Sequence, residues 1–537
     1  TQHPYGHSTI GYLYDIEHVT AKKLQNFHDT YYMPNNAIVM VTGQFNSEQV
    51  MKDIDEHFGS IPSKKVPKMN LVEPLQTGQR RVHVNFNSSP LVAVGFKGPK
   101  GVSRDAIALK VLGLILTSGP TSKFYPKVKD GTFHSVELDF ERTHDPNLFT
   151  LWGILSSESK LKSAEETLIN VAQNCNITQK DLEVAVKTLS NQWKRSEEST
   201  QGFTSELNEA AARGDVFDAI DRHETLKSLT LADMNHCKKY FDVNKSTVAT
   251  LLNNKVAEMP DNSTIAPEPS IPQQPVPSFE PMSINLDNVI QSDKNVYFEY
   301  PMSDIHLRVS IPSLGSNEHA QMIGALMTKG TKMQDRYFKA EDIHMFLNEN
   351  NIQREIGLDE NGILLKITMP SDMGVLEKEL NLLKSEIYNP TFPNDEFEQV
   401  RRHIAEETAG GMADVNKVAS IKLNQSIFEP SDYRYAKDSK ESSQIMWNTN
   451  RNELLMEHKK TCGKGIYITA VANDMKYLNK IQNTLESTGG NVSHTCAPKK
   501  KTLKNVDVKI PGMSSTTVAY GCGIDIDMHH EDFIPLT

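Results

Sequence analysis

The sequence is poor in cysteine, and the cysteines it has form no recognisable pattern. Cys175, Cys237, Cys462, Cys496 and Cys522 are odd in number, widely spaced, and include no C-x-x-C pair. Disulfide scaffolds and cysteine zinc sites both need closely spaced sets of cysteines. The sequence therefore predicts neither a disulfide framework nor a cysteine-based metal site.

Long apolar runs and basic clusters are also scarce. No apolar stretch approaches the roughly 20 residues that a membrane-spanning helix needs. The 537-residue chain has a formal net charge of −11, and its basic run is Lys499-Lys500-Lys501 with Lys504. Binding to phosphates needs clustered lysine and arginine, so no nucleic-acid partner is expected and this run is interpreted as a solvated loop. Nothing in the sequence indicates a cellular compartment.

The two helical motifs of zinc hydrolases are missing as well. In H-x-x-E-H and H-E-x-x-H helices, two histidines one turn apart bind zinc and the glutamate acts as general base. None of the eighteen histidines lies in either pattern. His3 and His7 have the four-residue spacing, but Pro4 and Gly6 between them disfavour a helix. We interpret both histidines as loop residues.

The chain is otherwise ordinary globular protein, with 38% hydrophobic and 23% charged residues. Its length is too great for a single core, so three or four domains are expected. Residues 256–282 are dense in proline and free of apolar periodicity, which is typical of an extended, semi-rigid linker. The linker divides the chain into two parts.

The first sixty residues show three consecutive patterns. Leu24, Phe27 and Tyr31 recur at helical spacing and predict an amphipathic helix. Pro34 ends this helix, because proline lacks an amide donor. Residues 37–41 form a short β-branched apolar run that predicts a buried strand, and a second amphipathic helix follows.

Elements before the linker recur after it. Ile177-Thr178 before one predicted helix matches Phe392-Pro393 before another, an offset of 392 − 177 = 215 residues, and the strand of Trp152 matches that of Ile367 at the same offset. A repeat of this length is a duplicated domain, since solenoid units have periods of roughly 20–50 residues. Strands and long helices in each copy predict an α+β fold, an antiparallel-rich sheet with helices packed on it.

The opening stretch resembles the pitrilysin/insulinase family of zinc metallopeptidases, which carry an inverted H-x-x-E-H motif. The matching fragments, in order, are His3-Pro4-Tyr5-Gly6, Ile10-Gly11, Asp15-Ile16, Tyr32-Met33-Pro34-Asn35-Asn36, the strand ending at Gly43, and Phe58-Gly59-Ser60-Ile61-Pro62. In that family this passage closes the metal-bearing first domain. The resemblance therefore implies a zinc cofactor whose ligands lie upstream of Thr1.

The resemblance and the repeat together predict a domain plan with two halves joined by the proline-rich linker. Its parts are the C-terminal portion of a metal-bearing type of domain at 1–65, a second pitrilysin-like domain at 78–255, the linker at 256–282, a third domain with a degenerate motif at 283–498, and the start of a truncated fourth domain at 505–537.

The third domain carries the remains of the zinc motif. Residues 327–331 resemble the segment that follows the zinc motif in active members of the family. Counting back from this segment places the motif positions on Gln321, Met322, Ile323, Gly324 and Ala325. The metal-binding and catalytic side chains are therefore lost. The family's later glutamate ligand would fall on Glu406 or Glu407. Without the histidine pair, we interpret both as surface carboxylates.

Other candidate residues receive structural interpretations. His529-His530-Glu531-Asp532 is interpreted as a solvated turn, Glu197-Glu198 as an exposed helix end, and Trp152 as core packing. The loop Gly98-Pro99-Lys100-Gly101 lacks the spacing of a phosphate-binding loop. We therefore assign no catalytic, cofactor-binding or metal-binding residue to this chain.

The resemblance implies a fragment of a zinc-dependent metalloendopeptidase that cleaves peptides or unfolded segments in an enclosed chamber formed by paired halves. The fragment alone is predicted to be inactive. One alternative is a catalytically inactive family member that acts as a scaffold or partner subunit. Another is a peptide-binding module that keeps the chamber without the chemistry.

Overall fold

The computed structural model describes residues 3–67, 72–85, 89–155, 157–252, 289–291, 295–312, 316–333, 335–359, 362–432, 434–462, 465–485, 506–508 and 517–521. The predicted linker and most of the predicted fourth domain lie outside these residues, as does the predicted turn at His529–Asp532. Among the described helices, none has both the length and the apolar character needed to cross a membrane.

The opening segment contains the two predicted amphipathic helices, but its predicted strand is wrong. Its helices are α1 (Leu13–His18), α2 (Ala21–Tyr31) and α3 (Ser47–Phe58). Residues 37–41 have no strand hydrogen bonding, and Ile38 is 66% exposed. A strand needs a neighbour to satisfy its backbone groups. No described strand lies beside residues 37–41, so the local β-propensity is not realised.

The first sheet lies within residues 80–252, which we call the first unit. Its strands have the order β1-β5-β2-β4-β3, with only β1 and β5 parallel. The strands are β1 (Arg80–Asn85), β2 (Leu91–Lys97), β3 (Phe133–Phe140), β4 (Leu148–Leu155) and β5 (Thr247–Leu252). The helices are α4 (Arg104–Thr117), α5 (Tyr125–Lys129), α6 (Leu161–Asn174), α7 (Gln179–Glu198), α8 (Thr200–Ala212), α9 (Asp218–Lys227) and α10 (Leu231–Cys237).

Helices cover one face of this sheet. Val92, Val94 and Phe96 alternate along β2 and are buried in the same core as α4 and α6. Helix α4 is apolar around most of its circumference, because it lies between the sheet and the outer helices. The opposite face of the sheet carries the intervening residues of each strand.

The second sheet lies within residues 289–485, which we call the second unit. Its order is β11-β12-β8-β13-β7-β6, and β9 and β10 form a separate hairpin. The strands are β6 (Val289–Gln291), β7 (Asn295–Glu299), β8 (Asp304–Pro312), β9 (Gly330–Met333), β10 (Arg336–Lys339), β11 (Gln353–Asp359), β12 (Gly362–Pro370) and β13 (Tyr467–Ala472). The helices are α11 (Asn317–Met327), α12 (Ala340–Glu349), α13 (Met373–Tyr388), α14 (Asn394–Gly410), α15 (Val415–Ile427), α16 (Ser439–Asn448), α17 (Arg451–Cys462) and α18 (Met475–Leu485).

The two units repeat the same construction, which confirms the predicted α+β fold. In each, a helix glycine lets an edge-strand side chain lie against the helix. A Cβ on Gly113 would lie 3.2 Å from a Leu138 methyl group, and a Cβ on Gly324 would lie 3.2 Å from an Ile356 methyl group. The two sheets fall inside the predicted second and third domains, whose boundaries stay predictions.

One detail of the predicted repeat is wrong. The 215-residue offset equates Trp152 with Ile367, but Ile367 is in the core of the second unit. Trp152 is half-buried and alternates with Leu151 and Gly153, which are buried on the helix side. Successive residues of a strand point to opposite faces of the sheet. The strands of Trp152 and Ile367 therefore correspond at an offset that differs by one residue from the 215-residue offset of the helices.

Candidate functional site

The degenerate motif lies on α11 and is built into the core of the second unit. Met322 and Ile323 are buried, and Gly324 packs directly on the sheet, where an added Cβ would lie 3.1 Å from Ile363 Cγ2. Gln321 is exposed. The described residues contain no group of three or more His, Cys, Asp and Glu side chains able to hold a metal ion. These residues do not fit a zinc ion at α11.

The two glutamates of α14 have different surroundings, and the surface interpretation is wrong for Glu406. Glu407 is exposed, whereas Glu406 contacts Nε2 of His134 on β3 of the first unit. Burial raises the pKa of Glu406 to about 7 and lowers the pKa of His134 to about 4. Both groups are thus uncharged between these values. The charges of Arg402 and Lys160 act on both groups.

His3 and His7 lie outside any α-helix and have separate partners. Nδ1 of His3 accepts a hydrogen bond from the Tyr5 amide, and its Nε2 lies 3.2 Å from Asp145 Oδ2. Nδ1 of His7 lies 3.3 Å from the Tyr12 hydroxyl. The structure therefore does not bring the two rings to a common ligand.

The interpretation of Glu197-Glu198 as an exposed helix end is wrong for Glu197. Glu198 is exposed, but Glu197 accepts a 2.5 Å hydrogen bond from Arg222 Nη2 and lies 2.9 Å from His223 Nε2. The Arg222 guanidinium also stacks over the Trp193 ring at 4.5 Å. Trp193 lies one helical turn before Glu197, which places both side chains on the same face of α7. This spacing is the sequence pattern that indicates that the face is buried.

The remaining candidates have structural roles or lie on an open surface. Gly98 donates its amide to the Asn147 carbonyl, and Gly101 donates to Thr143, so this loop is packed against a neighbouring loop. A Cβ on Gly101 would lie 2.3 Å from Thr143 O. Trp152 is half-buried on the sheet face opposite the helices, which differs from the predicted core position.

No sequence pattern predicts the polar interface between the two units. The Tyr125 hydroxyl of α5 donates to the Glu396 carboxylate of α14, at 2.8 and 2.6 Å from its two oxygens. The ammonium groups of Lys129 and Lys329 lie 5.6 and 5.8 Å from the centre of the Tyr125 ring. Burial and the Glu396 hydrogen bond raise the pKa of Tyr125, and burial lowers the pKa of Lys329.

A second set of contacts joins the end of α7 to the second unit. Arg195 Nη1 lies 3.3 Å from Asp304 Oδ2, and Nη2 donates to the Asn351 carbonyl. One turn earlier, Asn191 donates to the Asn348 carbonyl at 3.1 Å. These side chains satisfy backbone groups of the α12–β11 turn, where Asn351 has a φ of +55°.

A cavity of about 330 Å³ lies between the two sets of contacts. It is bounded by α4, α7 and α12, and its polar lining includes Ser118, Thr178, Asp181, Glu341 and His344. Burial lowers the pKa of His344, which accordingly favours the neutral ring. The two units therefore meet across a part-polar cleft with fixed hydrogen-bonded contacts at its sides.

Two copies of a sheet with helices packed on one face, hydrogen-bonded to each other, define a duplicated α+β protein. Residues 18–189 match the family model of the peptidase M16 inactive domain. This match confirms the resemblance to the pitrilysin/insulinase family, peptidase family M16, that the opening stretch predicted.

Three similar proteins illustrate the relationship. The chain is 36% identical over 133 residues to a protein named zinc protease PqqE from Helicobacter pylori, covering 24% of this chain and 30% of the relative. It is 26% identical over 119 residues to a probable mitochondrial-processing peptidase subunit beta from Arabidopsis thaliana, covering 21% and 22%. The solved ferredoxin protease FusC, in complex with Arabidopsis ferredoxin, matches with a TM-score of 0.50 at 13% identity, covering 91% of this chain and 60% of that one.

These similarities differ in what they establish. At 13% identity the likeness to FusC shows the fold alone. The matched stretches span less than a third of each curated relative, 30% and 22% of their lengths. The comparisons therefore support the resemblance to the family and the fold, and the activity of a whole protein is a matter for proposal.

Proposed function

We propose that this chain is part of a zinc-dependent metalloendopeptidase that cleaves peptides or unfolded protein segments in an enclosed chamber. The observation that carries the proposal is the match of residues 18–189 to an M16 domain, together with a relative named as a zinc protease. The name of FusC as a ferredoxin protease supports a protein or peptide substrate.

In this proposal the zinc ligands lie outside the chain, and the two units contribute architecture. Of the α11 positions that correspond to the motif, Met322, Ile323 and Gly324 are packed in the core and Gln321 is exposed, so this helix offers no pair of zinc ligands. The contact between Tyr125 and Glu396 fixes the units relative to each other, as two walls of a chamber require. The amphipathic helices α2 and α3 bury no residue against the described part of the chain, which supports an additional covering segment.

The test compares the complete gene product with residues 1–537 alone. Zinc content is measured by plasma mass spectrometry, and activity by cleavage of a quenched fluorogenic peptide with and without a chelator. We expect the complete product to contain stoichiometric zinc and to show chelator-sensitive cleavage, and residues 1–537 to show neither. Chelator-sensitive cleavage by residues 1–537 would overturn the placement of the site outside this chain.

The second candidate is a catalytically inactive family member that acts as a scaffold or partner subunit. It is favoured by the family model itself, which describes an inactive domain, and by a relative named as a processing-peptidase subunit. The same measurement separates the two candidates. A folded complete product without zinc and without cleavage supports the scaffold, and a zinc-loaded, active product excludes it.

A further inference from the structure

The cavity between the two units is large enough for a small organic ligand. Its volume of about 330 Å³ lies at the lower end of the range for ligand pockets, roughly 300–1,000 Å³. The first unit supplies α4, the turn after it and α7, and the second unit supplies α12. A ligand bound here would therefore contact side chains on both sides of the interface.

Part of the cavity lining is apolar. It consists of side chains from all three helices, namely Leu114, Ile115, Val184, Ala185 and Met345. An aliphatic group that packs against these side chains is removed from water, which favours binding. The lining therefore favours a ligand with a short apolar side chain.

Two carboxylates provide hydrogen-bond acceptors in the cavity. Glu341, in the first turn of α12, has neither a hydrogen bond nor an ion pair with the side chain of another described residue, although its charge acts on Lys329 from further away. Asp181 accepts from Lys123 and Thr178, and all of these bonds go to its Oδ2. Within the described part of the chain, Asp181 Oδ1 is left unpaired. Both carboxylates can therefore accept a charge-assisted hydrogen bond from an ammonium group.

The same cavity also has hydrogen-bond donors. The His344 ring lies against Gly119 of the first unit, where φ is +67° and an added Cβ would lie 2.7 Å from His344 Cε1. Asn348 Nδ2 donates to His344 Nε2 at 3.0 Å, so the neutral ring carries its proton on Nδ1. The Lys180 ammonium lines the cavity as well and forms no ion pair with a described carboxylate. These two side chains can donate to a carboxylate of the ligand.

The presence of both acceptors and donors disfavours a ligand that carries charge of one sign. A simple amine would leave Lys180 and His344 without an acceptor, and a simple carboxylate would offer no donor to Glu341 and Asp181. Polar groups that lose water without gaining a partner weaken binding. A free amino acid carries an ammonium group, a carboxylate and a side chain on one carbon atom, so it can satisfy all three parts of the lining.

We propose that the cavity between α4, α7 and α12 binds a free amino acid with an aliphatic side chain. The ammonium group donates to Glu341 and Asp181, and the carboxylate accepts from Lys180 and His344. The aliphatic side chain packs against the apolar lining. Each pair of partners includes one residue from each unit, so the bound amino acid links the two units. The proposal does not depend on peptide hydrolysis, because it concerns binding in a cavity of this chain alone.

The primary test measures binding of leucine to the full 537-residue chain by isothermal titration calorimetry. Two compounds with the same side chain serve as controls, because isocaproate lacks the ammonium group of leucine and isopentylamine lacks its carboxylate. We expect leucine to bind with a Kd of about 1 mM or tighter, and each control to bind about tenfold or more weakly. No binding of leucine, or equal binding of either control, would overturn the proposal.

Two variants and two matched controls test the protein side. Glu341→Gln removes the proposed partner of the ammonium group, and Lys180→Met removes a proposed partner of the carboxylate. Glu349→Gln on α12 and Lys187→Met on α7 make the same changes at exposed positions outside the cavity lining. We expect each of the first two variants to weaken leucine binding about tenfold, and each control to bind within about twofold of the parent chain. Unchanged binding in both Glu341→Gln and Lys180→Met would contradict the assigned site.

Hydrogen exchange locates the ligand on the unaltered chain, so the proposal stays testable if a variant unfolds. Leucine should slow exchange in α7 of the first unit and α12 of the second unit together, because both helices line the cavity. Protection confined to other elements would place the bound leucine elsewhere and overturn the proposal.

Discussion

The first and second units bury ionic clusters of opposite charge balance inside the same layered fold. In the first unit, Asp218 accepts from two arginines, Arg142 at 2.6 Å and Arg213 at 3.1 Å. In the second unit, one arginine forms hydrogen bonds with two carboxylates. Arg354 donates to both oxygens of Glu379 at 2.8 Å and to Glu386 at 2.5 Å. Among the buried groups, the first cluster therefore has an excess cation and the second an excess carboxylate; Arg213 also lies 3.5 Å from the exposed Glu209.

The two sheets differ in the same way on the faces that the helices leave open. The open face of the first sheet carries two apolar rows across paired strands, Val82-Ala249-Ala93-Trp152 and Val84-Leu251-Leu91-Ile154. The equivalent face of the second carries Arg308 and Lys366 side by side across paired strands, and both are exposed. The faces that pack against helices are apolar in both units. Duplication has thus preserved the packed face, while charges inside each unit and residues on the open faces have diverged.

Replacing the arginine in each cluster should produce the largest difference in stability between the two units. Arg354→Met leaves two buried carboxylates without a counter-charge, and we expect a loss of about 3–5 kcal/mol in the stability of the second unit. Arg142→Met leaves Asp218 paired with Arg213, so the matched change should cost the first unit only about 1–3 kcal/mol.

Urea unfolding monitored by tryptophan fluorescence can assign each loss to its unit. Trp152 and Trp193 lie in the first unit and Trp447 in the second, so variants that retain a tryptophan in only one unit report on that unit alone. Equal losses in the two units would show that the spare partner, Arg213, does not protect Asp218.

The excess carboxylate of the second cluster should make that unit less stable as the pH rises from 4.5 to about 7. Burial raises the pKa of Glu386 from its ordinary 4.5 to about 7, and no described residue forms a hydrogen bond with its Oε1. Because the folded pKa lies above the unfolded one, the stability contributed by the protonated group is fully present below pH 4.5. It is lost as the pH rises, and is gone above about 7. The expected loss is roughly 3 kcal/mol.

Glu386→Gln provides the control, because the amide resembles the protonated carboxyl and does not titrate. Urea midpoints reported by Trp447 should fall between pH 5 and pH 8 in the parent chain and fall less in the variant. Parallel pH profiles would show that another group, such as Glu406, causes the dependence.

The contact between the units should respond to removal of one hydroxyl. Tyr125→Phe leaves the Glu396 carboxylate, 3% exposed, without its hydroxyl donor, at an expected cost of about 1–3 kcal/mol. Hydrogen exchange should then accelerate in α5 and α14 together. Tyr240→Phe is the matched control, because its hydroxyl donates at 2.6 Å to Asp105 within the first unit, and Asp105 keeps Lys239 at 3.1 Å. Unchanged exchange in α14 of Tyr125→Phe would show that other contacts hold the units.

These differences explain which features the sequence could predict. Helical periodicity marked α2 correctly, and turn residues with buried runs indicated the duplicated α+β fold. Partners distant in the chain left no such pattern, since Tyr125 and Glu396 are separated by 271 positions. Periodicity reports which side of an element is apolar, and it does not identify the element that packs there.

Other errors have a local cause. Residues 37–41 have strand propensity, but a strand forms only where a neighbour accepts its hydrogen bonds. Charged residues are usually exposed, so the sequence predicts surface positions for Glu406 and Glu197, whereas both have partners from other elements. The face of Trp152 was misassigned because a one-residue shift in a strand exchanges its two sides.

Exchanging apolar and polar side chains on the open faces of the two sheets should have the smallest effect on stability. Val84→Thr in the first sheet and Lys366→Val in the second each alter one exposed position, so we expect changes within about 0.5 kcal/mol. Their effect should appear instead in the binding of a hydrophobic dye, which should decrease for Val84→Thr and increase for Lys366→Val, because dye binding follows exposed apolar area. A large loss of stability in Val84→Thr would mean that the apolar rows contribute to the packed core of the first unit and that the two open faces are not equivalent surfaces.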